Sequence, residues 1–110
     1  MIRVKIKRKP DGRIYSFQVK GHAMYDEPGK DIVCAGVSAV TVGTVNSVEA
    51  LLGIQLKTQA KHGLLEVDVS ELADNVLDEK LQMILESMVV MLQTIKQSYS
   101  AYIDLQENKK

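Results

Sequence analysis

One cysteine and two histidines are the side chains in this chain best suited to nucleophilic chemistry. Two of the three fall close together: His22 within Gly21-His22-Ala23, and Cys34 within Asp31-Ile32-Val33-Cys34. A thiol attacks as its thiolate, and an unperturbed cysteine with a pKa of about 8.5 is only a few per cent ionised at neutral pH. Asp31 is placed to cap a helix, which puts Cys34 in the first turn. There, unpaired backbone N–H groups and the helix dipole favour an anion. His22 opens the preceding loop. If that loop folds back, its imidazole reaches Cys34 and takes the thiol proton, the minimum apparatus for attack on a carbonyl. The same first-turn N–H groups would then hold the developing oxyanion.

By residue type and spacing alone the pair stays open to a plainer reading. Cys34 also fits an inert buried thiol, and His22 a loop histidine without a role. His62, beside Gly63, reads as a solvent-facing residue at a hairpin tip. His22, Cys34 and the loop acids show none of the paired spacings of a metal site. Neither a Walker A motif nor G-x-G-x-x-G occurs. The expectation is therefore no metal, nucleotide or other cofactor.

The elements that must position these residues follow from periodicity. Ile2, Val4 and Ile6 alternate with Arg3, Lys5 and Lys7, the pattern of a half-buried strand. Pro10-Asp11-Gly12 supplies a turn, and Tyr15, Phe17 and Val19 share one face of a second strand. Gly21 to Asp31 is a loop. A helix rich in Ala, Ser, Thr, Val and Gly runs from about Ile32 to Leu52, with Gly36 and Gly43 on one face for close approach to a neighbouring backbone. Leu56–Lys61 and Leu64–Ser70 form a second hairpin around Lys61-His62-Gly63. After Asp74, Leu77, Leu81, Ile84, Met88, Met91, Ile95 and Tyr99 form an amphipathic stripe. Leu85, Val89, Val90 and Leu92 widen it, suggesting self-association. The tail from Gln106 to Lys110 is expected to fray. The predicted fold is α+β in the order ββαββα: two hairpins and two helices, the helices packed on a mainly antiparallel sheet.

Length and composition bound the class. The chain has 110 residues, which suits a single domain over 1–110. Hydrophobic residues at 45% and charged residues at 25% are ordinary globular usage. Fourteen basic residues balance fourteen acidic ones, so no overall charge argues for nucleic acid or a membrane surface. Basic groups nevertheless gather near the start, where Arg3, Lys5, Lys7, Arg8, Lys9, Arg13 and Lys20 face only Asp11. The uncharged stretch from Ile32 to Val48 reads as too short and too polar for a membrane span. The charge-alternating opening is no signal peptide. With a lone thiol, the expected compartment is the reducing cytoplasm.

Gly21-His22-Ala23 followed by Gly29-Lys30-Asp31-Ile32-Val33-Cys34-Ala35-Gly36-Val37-Ser38 resembles the ribosomal-processing cysteine protease family, Prp, and the resemblance spans essentially the whole chain. Family members usually carry Ala where Gly36 stands, a change costing at most about 1 kcal/mol of helix propensity. The resemblance implies a cytoplasmic, usually dimeric cysteine endopeptidase. Its substrate would be the precursor of the large-subunit ribosomal protein numbered twenty-seven in the bacterial scheme, whose N-terminal extension is cut after a pair of phenylalanines. By matching positions, Cys34 would be the nucleophile and His22 the general base and acid. Asp31 would orient His22 or cap the helix, and Ser38 would fix the loop through a hydrogen bond. Gly21 and Gly29 would let the loop move. Met24 and Tyr25 would wall an apolar groove, while Asp26 and Glu27 would meet basic residues of the substrate. Two other readings compete: a non-catalytic ribosome-assembly or RNA-associated module using the basic hairpin, and a thiol redox sensor needing a resolving thiol from elsewhere.

Overall fold

The computed structural model describes residues 1–109. Its elements are β1 (Ile2–Arg8), β2 (Ile14–Lys20), α1 (Ile32–Leu52), β3 (Lys57–Lys61), β4 (Leu64–Asp68), α2 (Asn75–Ser98) and β5 (Ile103–Lys109). They build one five-stranded sheet in the order β3-β4-β2-β1-β5. All neighbours are antiparallel except β1 and β5, which run parallel with Ile2 opposite Ile103 and Val4 opposite Leu105. The expected α+β arrangement is present, with an additional strand. β5 corrects the expectation of a fraying tail for Gln106 to Lys109; Lys110 lies outside the described residues. Alternation of Ile103 and Leu105 with Asp104 and Gln106 supplies the inward face. The Ile2 N–H donates to the Tyr102 carbonyl at 2.9 Å and starts the pairing.

One face of the sheet carries the core. Val4, Ile6, Phe17, Val67 and Ile103 are fully buried, together with Leu81, Leu85, Met88 and Leu92 of α2. Three of the four residues expected to widen α2 toward a partner are thus buried within the chain. Val90 alone is largely exposed, as is Met91 from the expected stripe. On β2, the register slips between Lys7 and Arg8, which face Ser16 and Ile14 respectively, leaving Tyr15 as the extra residue of a bulge. Ile14 rather than Tyr15 therefore turns into the core beside Phe17.

α1 begins and ends where capping chemistry dictates, at Asp31 and at Gly53 (φ 68°), whose N–H returns to Glu49. Contrary to the expectation from its polar residues, α1 is by length and composition apolar enough to cross a membrane, with a mean hydropathy of 1.4 over an 18-residue stretch. Here it lies against α2 and the sheet, burying Val33, Val37, Thr41, Thr44 and Val48. The Thr41 and Thr44 hydroxyls donate back to the Val37 and Val40 carbonyls, so their burial leaves no polar group unpaired. A Cβ on Gly36 would meet the side chain of Ile95 at 3.7 Å, whereas Gly43 faces open space and permits no backbone approach within the chain.

The basic cluster divides. Arg3, Lys5 and Lys7 are exposed, while Arg8 is tied to Glu86 and Glu107 and is not a free cation.

Candidate active site

Asp31 organises the start of α1. Its Oδ1 accepts the N–H groups of Val33 and Cys34, both at 3.0 Å, and its Oδ2 accepts those of Tyr25 at 2.9 Å and Asp26 at 3.2 Å. Burial opposes ionisation of this carboxyl. The four N–H donors of Cys34, Asp26, Tyr25 and Val33 outweigh it and hold the group below its ordinary 3.8. Both oxygens are thereby committed to backbone. Of the two roles expected for Asp31, the geometry supplies the cap and adds a staple to the loop; no hydrogen bond to His22 is formed among the described residues.

This cap changes the expected electrostatics at Cys34. The first-turn N–H groups of Val33 and Cys34 were expected to face the sulfur or an oxyanion, but the Asp31 carboxylate occupies them. The donor at the sulfur comes from the loop instead: the Ala23 N–H points to Cys34 Sγ at 3.3 Å. Ala23 is buried at 2% exposure, which fixes that N–H in place. No sequence signal marked Ala23 beyond its place after His22.

Cys34 and His22 line one cleft of about 220 Å³ between α1 and the β2–β4 end of the sheet. Val19 and Leu65, paired across β2 and β4, lie on its sheet side; Val37, Thr41 and Val42 lie on its helix side. Ser38 also lines the cleft but makes no hydrogen bond among the described residues, so the expected tie to the loop is absent. The His22 ring rests against the β3–β4 turn, its centroid 4.9 Å from that of His62 with the planes at 43°. No hydrogen bond joins it to Cys34 among the described residues. His62, read from sequence as a bystander, is thus a neighbour of the site.

Met24, Tyr25, Asp26, Glu27 and Gly29 fall outside the cleft, whereas Gly21 lines it. Met24 is 77% exposed and holds φ at 60°, in the left-handed region. Tyr25 packs edge-on against Tyr99 and Tyr102, at 5.7 and 5.0 Å between centroids, at the end of α2. Asp26 and Glu27 are exposed; Asp26 accepts the Glu27 N–H, and Glu27 approaches Lys30 at 3.9 Å. Gly21 and Gly29 both take positive φ, 92° and 87°. Gly29 stands in open space, but a Cβ at Gly21 would lie 2.7 Å from the Met1 carbonyl oxygen. Among the described residues, no group of three His, Cys, Asp or Glu side chains is placed to hold a metal ion.

The family model for cysteine protease Prp matches residues 1–104. The chain belongs to the Prp cysteine protease family. The ribosomal processing cysteine protease Prp of Bacillus subtilis is 40% identical over 101 residues, covering 90% of each chain. Among solved structures, the essential ribosomal processing protease Prp of S. aureus with a covalently linked product peptide superposes with a TM-score of 0.89 at 33% identity. It covers 98% of this chain and 100% of its own. The same protease with a substrate peptide superposes at 0.83 and 32% identity, with the same coverage. A Prp protease is a hydrolase that works through cysteine, and this member carries a single cysteine, half-buried at the side of the cleft.

Proposed function

We propose that this chain removes the N-terminal extension of the large-subunit ribosomal protein numbered twenty-seven, cutting after a phenylalanine pair. Cys34 is the nucleophile and His22 the general base and then acid. One observation carries the assignment: a cysteine protease with one cysteine has no other nucleophilic thiol, and that thiol shares an apolar cleft with His22. The cleft is smaller than the roughly 300–1,000 Å³ of drug-sized ligand sites and suits a single side chain, so an aromatic residue beside the scissile bond fits between Val19, Val37 and Leu65.

The reaction follows from these positions. His22 turns from the β3–β4 turn to within about 3 Å of the sulfur and takes its proton. Sγ attacks the scissile carbonyl carbon, and the Ala23 N–H, which points at the sulfur, is a donor available to the resulting oxyanion. Collapse breaks the C–N bond, the departing amine takes the proton from His22, and a thioester remains on Cys34. Water, deprotonated by His22, then releases the acid and restores the thiol.

In this reading the enzyme is a cytoplasmic homodimer, with neither membrane nor nucleic acid as a partner. Exposed Leu51, Met83 and Met91, which share one groove between α1 and α2, offer apolar surface for the second copy. Asp26 and Glu27 attract basic residues of the ribosomal protein. The test is intact-mass spectrometry of a peptide spanning the cleavage site, incubated with the protein and with its Cys34→Ala variant. A single cut after the paired phenylalanines, absent in the variant, supports the assignment. An intact peptide in the presence of folded protein with a free thiol overturns it.

A further inference from the structure

The hairpin joining β3 and β4 ends on the side of the sheet where β2 gives way to the His22 loop. The Gly21 N–H donates to the Gly63 carbonyl at 2.9 Å, so the first residue of that loop is fastened to the turn. The next residue, His22, lays its ring on the same turn. A Cβ built on Gly63 would stand 3.0 Å from His22 Nε2 and 3.6 Å from its Cε1, so the ring occupies the space that any side chain at 63 would fill. His62 closes a second side, ring against ring at 4.9 Å. His22 is otherwise exposed and has no hydrogen bond to Cys34 among the described residues. These contacts are what limit where its imidazole goes.

The geometry points to the His62–Gly63 turn as a positioning seat for His22: Gly63 leaves room for the imidazole, and His62 packs beside it at a tilt, keeping the ring at the side of the cleft that Cys34 also lines. The inference rests on the proposed role of His22. It adds two positioning residues from an element that contributes nothing else to the chemistry. The seat is the resting position from which His22 turns to the sulfur; an unseated imidazole on an exposed loop also samples rotamers away from the cleft, and fewer of its excursions reach the sulfur. Loss of the ring contact therefore lowers kcat and leaves KM nearly unchanged, because the turn residues hold the base rather than the peptide.

The substitutions separate this role from simple stability. His62→Ala removes the neighbouring ring at an exposed position. His62→Phe restores an aromatic face without the imidazole nitrogens. Gly63→Ala pushes a methyl group into the His22 ring and strains a backbone at φ 73°. Gly12→Ala imposes comparable backbone strain at φ 95° in the other hairpin, with nothing within 4 Å of its Cβ, and serves as the strain control.

Two readouts decide the matter. The first needs no substrate: the chain has only two histidines, so their ring protons are readily assigned by NMR, and a nuclear Overhauser contact between the His22 ring and the Gly63 α-protons is expected in the free protein. Its absence overturns the seat, whether or not any peptide is cut. The second is cleavage of the precursor peptide. The expected result is a loss in kcat of about five- to tenfold in His62→Ala and Gly63→Ala, recovery in His62→Phe, and no loss in Gly12→Ala. Unchanged kcat in His62→Ala, equal loss in His62→Phe, or a matching loss in Gly12→Ala each overturns it. If the unaltered protein cuts no peptide, the proposed function fails, and the nuclear Overhauser contact alone decides the seat.

Discussion

Asp31 and Cys34 are joined by a backbone hydrogen bond of 3.0 Å from the Cys34 N–H to Asp31 Oδ1, while Oδ2 of the same carboxylate holds the loop at Tyr25 and Asp26. One side chain therefore sets the helix start that presents the thiol and the return of the loop that carries His22. Replacing it disturbs both at once. Asp31→Ala is expected to lower stability by about 2 kcal/mol, the upper range for loss of an N-cap, because loop donors lose their acceptor as well. Asp31→Asn keeps one carbonyl oxygen and is expected to lose less. Urea denaturation of the three proteins checks this order; equal stability of Asp31→Ala and the unaltered protein contradicts it.

Gly21 and Gly29 share a positive φ but not an environment. Gly21→Ala adds a methyl group 2.7 Å from the Met1 carbonyl oxygen, backbone that cannot move without disturbing the β1 end of the sheet. Gly29→Ala enters open space and meets only the left-handed backbone penalty of about 1 kcal/mol. The expected ranking is a larger fall in melting temperature for Gly21→Ala, with cleavage impaired only there, since His22 follows directly. Thermal denaturation and peptide cleavage of the two variants test it.

Much of this arrangement was legible in the sequence, and the rest has identifiable causes. Asp31 before an apolar run marked the start of α1, and alternation in Ile2–Ile6 and Leu65–Val69 marked strands. β5 was missed because Asp104, Gln106, Glu107 and Asn108 outnumber its two inward residues. Its partner β1 lies at the other end of the chain, and parallel pairing leaves no turn signal. Tyr15 was assigned to the wrong face because a bulge, not composition, shifts its strand by one. At the candidate site, residue type and motif marked Cys34 and His22, and the structure places both on one cleft. The Ala23 N–H, the committed oxygens of Asp31 and the contact with His62 depend on backbone placement, which residue types do not encode.

Arg8 fastens the far end of the sheet to α2. Its guanidinium bonds both oxygens of Glu86 and reaches Glu107 of β5 at 2.8 Å, with only 15% of its side chain exposed. These bonds to Glu86 lead burial and the contribution of Glu107 in setting its pKa, and the balance raises it above the ordinary arginine value. Arg8→Ala leaves two carboxylates without their shared cation and is expected to cost about 2 kcal/mol. Arg8→Lys is expected to recover only part, lacking the forked geometry. Because this network lies away from the cleft, kcat should stay within about twofold where the protein remains folded. Calorimetry with parallel cleavage assays tests both halves.

Acid stability should report on Asp78 as well as Asp31. Hydrogen bonds from Arg13, at 2.8 and 3.2 Å, favour the Asp78 carboxylate; burial opposes them, and the Leu72 N–H at 3.0 Å adds support. The balance holds Asp78 below its ordinary 3.8. A carboxyl whose folded pKa is depressed binds its proton more readily in the unfolded chain, so it stabilises the fold above the unfolded value. That contribution is fully present at neutral pH and is lost as the pH falls from 3.8 through the folded value beneath it. Asp78→Asn removes the carboxylate at every pH. Its deficit in melting temperature against the unaltered protein should therefore be steady between about pH 7 and pH 5 and shrink below about pH 4. A deficit that stays constant down to about pH 2 would show that Asp78 acts through shape alone, and would contradict the assigned role of its charge.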